Sequence, residues 1–295
     1  MKLKALALAT FFATSVNAAY VQSHDPHIVA PFSLECTVSV PDKIITEQST
    51  ALPDGYYANA KGKTGDELKA ALNTIITAGH KRLSYKQVWT ALEITDQDPY
   101  DPNNVILLYS GKSIPKNEKS GRPQGQKNDR WNREHVYPKS NGGFPKESWW
   151  AYTDIHHLRP ADESMNSERG NKEFDNGGQA TEDSPFAGNK LTATTFEPRD
   201  EVKGDVARMI FYMAVRYEGH DEGHSKLTPN LELSTATVNN GTDFGNVCAM
   251  LEWNKEDPVD EFESLRNDRI YKLQGNRNPF IDKSEWADEL FGHNC

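Results

Sequence analysis

The order of short elements between residues 131 and 171 constrains the fold more than any other feature of this chain. A short strand is predicted over residues 134–137, ended by Pro138, and a second over residues 154–158. Residues 162–171 carry a helical pattern, with Gly170 as its stop. The sequence therefore predicts, in one stretch, the order strand, loop, strand and helix.

Helical patterns recur through the rest of the chain. One of them begins at Thr64 or Asp66, ends at Gly79 and keeps its apolar residues on one face. Further helices are predicted over residues 84–92, 201–217, 247–253, 258–273 and 284–291. Exposed loops are predicted over residues 111–130 and 175–195. With a buried strand predicted over residues 104–110, we expect an α+β fold, a mainly helical single domain with a small sheet.

Residues 1–18 have the composition of a secretory signal. Two lysines precede a short apolar run, and Val16-Asn17-Ala18 predicts cleavage after Ala18. The run is too short to span a bilayer, and no later segment approaches about 20 apolar residues. We therefore expect an exported protein, periplasmic or extracellular, with no membrane segment in the mature form; a buried N-terminal helix is the alternative. Residues 19–54 are predicted as an extended arm and residues 55–295 as the folded domain.

Three cysteines are present, Cys36, Cys248 and Cys295. An oxidising compartment permits one disulfide among three pairings, and no spacing matches a cysteine zinc site. We expect Cys248 to pair with Cys295, because Cys248 lies at the start of an apolar helix and a bridge there would hold the C-terminus. Cys36 lies in the predicted arm and is expected to be unpaired or linked elsewhere.

Charge is distributed unevenly along the chain. The formal net charge of −10 argues against non-specific binding of nucleic acid by the surface as a whole. Between Lys112 and Lys139, however, eight Lys or Arg residues stand against three acidic ones. Because charges act over only about 8 Å at physiological salt, this local excess matters more to a nearby phosphate; a solvated basic loop is the alternative. The side chains predicted to bind substrate are Lys119, Arg122, Arg133 and Lys139.

Two candidate oxygen ligands for a magnesium ion lie in this stretch, one on the first predicted strand and one on the predicted helix. Glu134 offers a carboxylate and Asn166 a neutral amide oxygen. Mg²⁺ prefers oxygen and keeps several waters, which leaves room for phosphate oxygens. The adjacent His156 and His157 raise zinc as an alternative, but neighbours on a strand diverge and no HExxH pattern is present. We predict Mg²⁺, with Mn²⁺ or Ca²⁺ as other ions that such ligands accept.

His135 is the candidate general base, because its unperturbed pKa of about 6.5 allows proton exchange near neutral pH. Glu134 and His135 can serve one site only where the backbone bends or the site wraps the end of the strand. Arg159 and Arg169 are candidate catalytic groups that contact phosphate, with ordinary ion pairing as the alternative. Together these side chains provide what metal-assisted hydrolysis of a phosphodiester needs.

Three motifs carry a resemblance to a known family. They are Arg133-Glu134-His135-x-x-Pro138, Asp154-x-His156-His157-Leu158-Arg159-Pro160 and Asn166-x-x-Arg169-Gly170-Asn171. Four other segments extend the match from about residue 55 to about residue 290; they lie at residues 85–89, 105–110, 203–208 and 274–280. In this order the segments resemble the endonuclease I family of secreted and periplasmic bacterial nucleases.

The resemblance implies a ββα-metal site, of the His-Me finger type, inside a mixed and largely helical fold. It implies cleavage of DNA, often also of RNA, with little sequence preference and with 5′-phosphate and 3′-hydroxyl ends. By motif position, Glu134 and Asn166 match the magnesium ligands and His135 the general base. The side chains expected to support them from behind are His156, His157 and Asn171.

We therefore predict an exported, Mg²⁺-dependent endonuclease that acts as a monomer on DNA and RNA. A polyanion-binding protein on a decayed nuclease scaffold is one alternative, and the intact Glu134, His135 and Asn166 argue against it. A secreted metal-dependent phosphatase is another, and it would release inorganic phosphate in place of oligonucleotides.

Overall fold

The structure, a computed structural model, describes residues 52–120, 130–219, 227–237 and 243–295. Outside these ranges lie the predicted signal and all but the last three residues of the predicted arm, which includes Cys36. Arg122 also lies outside them. Within the described ranges, no helix is both long enough and apolar enough to cross a membrane.

Each predicted helix is present, with ends within three residues of the prediction. The helices are α1 (Gly65–Thr77), α2 (Tyr85–Thr95), α3 (Glu163–Arg169), α4 (Lys203–Arg216), α5 (Val247–Glu256), α6 (Glu261–Gln274), α7 (Pro279–Asp282) and α8 (Trp286–Phe291). Capping explains the start of α2, where the Ser84 hydroxyl accepts from the Gln87 backbone and the Gln87 side chain accepts from the Ser84 backbone. The sequence pattern missed α7, which is only four residues long.

Short strands complete the described fold. They are β1 (Asn104–Ile106), β2 (Ser113–Pro115), β3 (Trp131–His135), β4 (Leu158–Asp162), β5 (Glu173–Phe174), β6 (Gln179–Ala180), β7 (Lys190–Leu191), β8 (Thr195–Glu197), β9 (Glu232–Ser234) and β10 (Asp243–Asn246). Antiparallel pairs join β1 to β2 and β3 to β4, β9 and β10 are parallel, and the fourth sheet has the order β5-β8-β7-β6.

The α+β prediction is confirmed, but the small sheet proves to be four separate small sheets within the described residues. The predicted loop at residues 175–195 contributes β6 and β7, because strands of two residues are too short to give an alternating pattern. The strand predicted over residues 104–110 ends at Ile106.

The second strand of the predicted ββα order lies later than expected, at 158–162 instead of 154–158. The Asp154 carboxylate accepts a hydrogen bond from the His156 backbone at 2.9 Å, which bends the chain into a turn. Pairing with β3 therefore begins only at Leu158, which lies opposite His135. Helix α3 follows β4 directly and contacts both strands.

Helix α4 lies at the centre of the core. Its sequence predicts one apolar face, yet every residue from Lys203 to Arg216 is buried. The charged residues are tolerated there because they are paired: Arg208 lies 2.7 Å from Glu263 of α6, and Lys203 lies 2.8 Å from Glu197. The helix thus supports the neighbouring elements on all sides.

The predicted disulfide is confirmed. Cys248 and Cys295 are bridged, with their Cα atoms 5.6 Å apart, and the bridge links α5 to the C-terminal residue.

Candidate active site

A cavity of about 280 Å³ opens where β3, the segment after it and the end of α3 meet. The residues that line it are Tyr85, Arg133, Glu134, His135, Pro138, Lys139, Ser140, Asn166, Gly170 and Asn171. The structure therefore brings the two predicted metal ligands and the predicted base to one place. Because β3 ends at His135, the cavity wraps the strand end, which is how two neighbouring strand residues face the same space.

Glu134 is almost fully buried, and two neighbours hold one of its oxygens. The Tyr109 hydroxyl donates to Oε1 at 2.9 Å, and Arg169 lies 3.3 Å from the same atom. Burial raises the pKa of the Glu134 carboxyl, while Arg169 and Tyr109 act to lower it. The other oxygen, Oε2, takes part in neither contact.

His135 has a defined orientation because its Nε2 lies 2.9 Å from the Tyr152 backbone carbonyl. A carbonyl only accepts hydrogen bonds, so Nε2 carries the proton and Nδ1 presents a lone pair. Burial lowers the pKa of His135 well below its usual range, and the nearby His157 adds to this effect. The imidazole is therefore neutral at physiological pH, the state in which Nδ1 can accept a proton.

Asn166 lies on α3 and is half-buried. Its side-chain nitrogen donates to Oδ1 of Asn132, on β3, at 2.7 Å. The amide oxygen of Asn166 takes no part in that contact.

The donor atoms at the cavity suit a hard cation. Glu134 and Asn166 both offer oxygen, the ligand that Mg²⁺ prefers alongside retained waters. Among the described residues, no group of three or more His, Cys, Asp and Glu side chains could enclose a metal, as a closed zinc site would require. The oxygen donors therefore suit a hard divalent cation such as magnesium, and Oε2 of Glu134 lies outside the contacts with Tyr109 and Arg169.

Comparison with known proteins identifies the family. The sequence model of Endonuclease I matches residues 64–285. The chain belongs to the Endonuclease I family. An extracellular ribonuclease of Bacillus subtilis (strain 168) is 55% identical over 240 residues, which cover 81% of this chain and 78% of the relative. An extracellular ribonuclease of Bacillus amyloliquefaciens is 54% identical, with coverages of 80% and 78%. An extracellular deoxyribonuclease of Aeromonas hydrophila is 28% identical, with coverages of 60% and 77%.

The two predicted catalytic arginines do not line the cavity of this Endonuclease I family member. Arg159 is buried, with its guanidinium 2.6 Å from Asp96 and 3.1 Å from Asp205. Arg169 is also buried, and it donates to the Val136 carbonyl at 2.7 Å in addition to its contact with Glu134. The expectation of direct phosphate contact needs correction, because both guanidinium groups are buried outside the cavity lining and pair with protein groups. The alternative weighed for them, ordinary ion pairing, describes what the structure shows.

The two histidines of the second motif have different surroundings. The ring centroid of His157 lies 5.5 Å from that of His135, and its Nε2 contacts the Ala151 carbonyl at 2.7 Å. It can therefore support the base from behind. His156 instead packs on Tyr212, with ring centroids 4.3 Å apart, and faces the core away from the cavity lining.

Of the predicted substrate-binding residues, Arg133 and Lys139 line the cavity. Arg133 stacks on Tyr85 with its guanidinium carbon 3.3 Å from the ring centroid. Lys119 is absent from the lining; its ammonium pairs with Glu93 and lies over the Trp89 ring at 5.6 Å. Its prediction as a substrate contact is therefore not supported by its position.

Asn171 lines the cavity and is exposed, so it faces the opening and does not lie behind the ligands as expected. Its side chain contacts Ser140, another lining residue, at 3.5 Å. Sequence reasoning missed Tyr109, Asn132 and Tyr152, which contact the candidate ligands and base. The only signal was position, since Asn132 lies two residues before Glu134 and Tyr109 is the last apolar residue of the strand predicted over residues 104–110.

Proposed function

We propose that this chain is an exported, divalent-metal-dependent endonuclease that hydrolyses phosphodiester bonds in RNA and DNA with little sequence preference. The observation that carries the proposal is the convergence of Glu134, His135 and Asn166 on one cavity. Membership of the Endonuclease I family supports it independently.

Catalysis would begin with a proton transfer to His135. Nδ1 takes a proton from a water molecule, the water oxygen bonds to phosphorus, and the bond to the 3′ oxygen breaks. The leaving 3′ oxygen takes a proton from a solvent water and His135 returns its proton to solvent, so the products are a 5′-phosphate and a 3′-hydroxyl. Glu134 and Asn166 would hold a divalent cation, which supplies neutralisation of charge on the phosphate. Arg169 fixes Glu134 and the backbone after β3, and is a positioning residue.

Both nucleic acids are proposed as substrates. The relatives at 55% and 54% identity are named ribonucleases, and one at 28% is named a deoxyribonuclease. Arg133 and Lys139 at the cavity are suited to phosphates, which carry no sequence information. The relatives' extracellular or periplasmic names, together with the N-terminal signal pattern, support export. We propose that the enzyme acts as a monomer.

A paired assay tests the function. The purified protein is incubated with RNA and DNA of matched sequence and length, with Mg²⁺ or with EDTA. We expect oligonucleotides with 5′-phosphate ends in Mg²⁺, and a loss of at least about 10²-fold in rate when the metal is removed. Unchanged cleavage in EDTA would contradict metal dependence. Release of inorganic phosphate alone would favour a phosphatase, and binding without cleavage would favour a decayed scaffold.

A further inference from the structure

Each candidate metal ligand has two polar atoms at the end of its side chain, and a neighbouring residue contacts one of them. Tyr109 contacts Oε1 of Glu134, and Asn132 contacts the side-chain nitrogen of Asn166. We infer that Asn132 and Tyr109 are positioning residues: Asn132 turns the amide oxygen of Asn166 towards the cation, and Tyr109 leaves Oε2 of Glu134 for it. The inference rests on the proposed function, because it assumes that Glu134 and Asn166 bind a metal. Neither Asn132 nor Tyr109 lines the cavity, so both act through the ligand that they contact.

Asn132 determines which end of the Asn166 amide is available. An amide side chain has an oxygen that binds cations and a nitrogen that donates hydrogen bonds, and rotation by half a turn exchanges them. Oδ1 of Asn132 accepts only, so at 2.7 Å it holds the nitrogen of Asn166. The oxygen of Asn166 is then turned away from Asn132. Without this acceptor, either the oxygen or the nitrogen of the Asn166 amide could face the cation. In one of these two orientations the nitrogen, which is a hydrogen-bond donor, would face it.

Strand pairing fixes the position of the Asn132 backbone. Asn132 lies on β3 opposite Ala161 of β4, two residues before Glu134, so its side chain and that of Glu134 lie on the same face. Helix α3, which carries Asn166, packs on both strands. One strand therefore supplies the carboxylate ligand and the residue that orients the amide ligand.

Tyr109 acts in the same way on Glu134. Its buried hydroxyl donates to Oε1 at 2.9 Å, the oxygen that Arg169 also approaches. Two cationic or donor groups on one oxygen favour the carboxylate rotamer in which Oε2 remains for a cation. Partners of metal ligands commonly change metal affinity by about 10–100-fold when removed.

Variants of nearly equal shape separate orientation from packing. Asn132→Leu removes the acceptor, whereas Asn132→Asp keeps it. Tyr109→Phe removes only the hydroxyl that holds Glu134. Matched controls come from elsewhere in the fold. Asn73→Leu removes an amide that donates to the Val215 carbonyl, and Tyr57→Phe removes a partly buried hydroxyl that donates to Asp282.

Magnesium affinity is the main measurement, by isothermal titration calorimetry without substrate and by the Mg²⁺-dependent rise in melting temperature. We expect Asn132→Leu and Tyr109→Phe to weaken Mg²⁺ binding by about tenfold, and Asn132→Asp and both controls to stay within about threefold of wild type. Nuclease rate at saturating Mg²⁺ should recover most of the wild-type value in Asn132→Leu.

A double-mutant cycle separates the effect of the Asn166 amide orientation on Mg²⁺ affinity from the effect of the charge that Asn166→Asp adds. Asn166→Asp has oxygen at both ends, so Asn132→Leu should weaken Mg²⁺ binding much less in that background than in the Asn166 protein. Equal losses in both backgrounds, or wild-type affinity in Asn132→Leu, would overturn the inference. If the wild-type protein binds no Mg²⁺ and cleaves in EDTA, the proposed metal dependence fails first, and the two failures are thereby distinguished.

Discussion

A single backbone contact determines which nitrogen of His135 is available for chemistry. The Tyr152 carbonyl holds the proton on Nε2, and the burial that lowers the pKa keeps the ring neutral. The cost is a weak base, since a low pKa means low proton affinity. That weakness is compatible with catalysis if the attacking water is itself acidified at the site.

We expect His135→Ala to lower kcat by roughly 10²–10⁴-fold, the usual contribution of a positioned general base. Mg²⁺ affinity measured by calorimetry should change little, because the ring is not among the proposed ligands. His293→Ala, which alters a histidine near the C-terminus that is not part of the cavity lining, is the matched control. Cleavage within a few-fold of wild type in purified, folded His135→Ala protein would exclude this base.

At the level of elements, the end of α3 forms part of the cavity wall. Gly170 ends the helix with φ 62° and ψ −125°, a conformation that residues with a Cβ rarely adopt. A Cβ there would meet no crowding, since its nearest neighbour would be the Ser167 carbonyl at 3.8 Å. The requirement for glycine at this position is therefore one of backbone conformation and not of space.

Gly170→Ala should lower the free energy of unfolding by about 1–3 kcal/mol, the cost of a strained positive φ. It should also lower kcat/KM, because relaxation of the turn moves Asn166 and Asn171, which line the cavity. Gly62→Ala is the control: its φ is 74°, its surroundings are open, and it does not line the cavity. Urea unfolding and initial rates should show a similar stability loss in both variants, with lost activity in Gly170→Ala alone.

At the scale of the whole molecule, one buried carboxylate joins distant parts of the chain behind the site. Asp154 accepts hydrogen bonds from Tyr212 at 2.8 Å, Tyr217 at 2.7 Å and Gln274 at 2.8 Å. Burial raises the pKa of Asp154, but the charge that the neighbouring histidines carry in acid and the hydrogen bond from Gln274 outweigh it, and the net pKa lies well below its usual range. The carboxylate stays charged and links the turn before β4 to α4 and α6.

The histidines around this carboxylate predict acid lability. Burial lowers the pKa of His156 and of His157 to about 4 and the pKa of His80 to about 3, whereas a histidine exposed to water has a pKa of about 6.5. The folded protein thus keeps these rings neutral, while the unfolded chain takes up protons once the pH falls below about 6.5. Stability is therefore fully present above that pH and is lost as the pH falls towards 4, by roughly 3 kcal/mol for His156 alone.

Urea unfolding between pH 7.5 and pH 4.5 measures this loss. The pKa of His80 also depends on three neighbouring groups: Asp154 raises it, whereas Arg216 and His156 lower it. The contribution of His80 to the loss of stability therefore includes these opposing effects. His156→Gln should flatten the pH dependence of the unfolding free energy over this range. An unfolding free energy independent of pH from 7 to 5 would show that the rings titrate normally in the fold.

The disulfide is expected to contribute to stability but not to chemistry. It joins Cys248 and Cys295, which are 47 residues apart in the sequence, and chain entropy gives at most about 4 kcal/mol for such a loop. Neither residue lines the cavity. The double variant with serine at both positions should therefore unfold at lower urea but cleave at the wild-type rate at 25 °C. Identical midpoints with and without a reductant would contradict this expectation.

The amino-acid sequence alone predicted every described helix but α7, and it singled out the residues that the cavity brings together. Helices follow from periodic apolar positions, so every predicted helix is present. The motif around Glu134 and His135 and the one around Asn166 meet at a single cavity. The helices depend on neighbours close in the chain, which a sequence pattern records, whereas the two motifs meet only because β3, β4 and α3 pack together.

Only the tertiary structure decided what the longer side chains contact. Arg159 and Arg169 lie in motifs that predict phosphate-binding arginines, yet both are buried. Arg159 pairs with Asp96, and Arg169 donates to the Val136 carbonyl. Lys119 lies in a basic stretch but pairs with Glu93. Long charged side chains reach partners that are remote in the sequence, and burial makes such pairing obligatory. The roles inferred for Asn132 and Tyr109 arise in the same way, because each contacts a ligand that the chain brings to it only after folding.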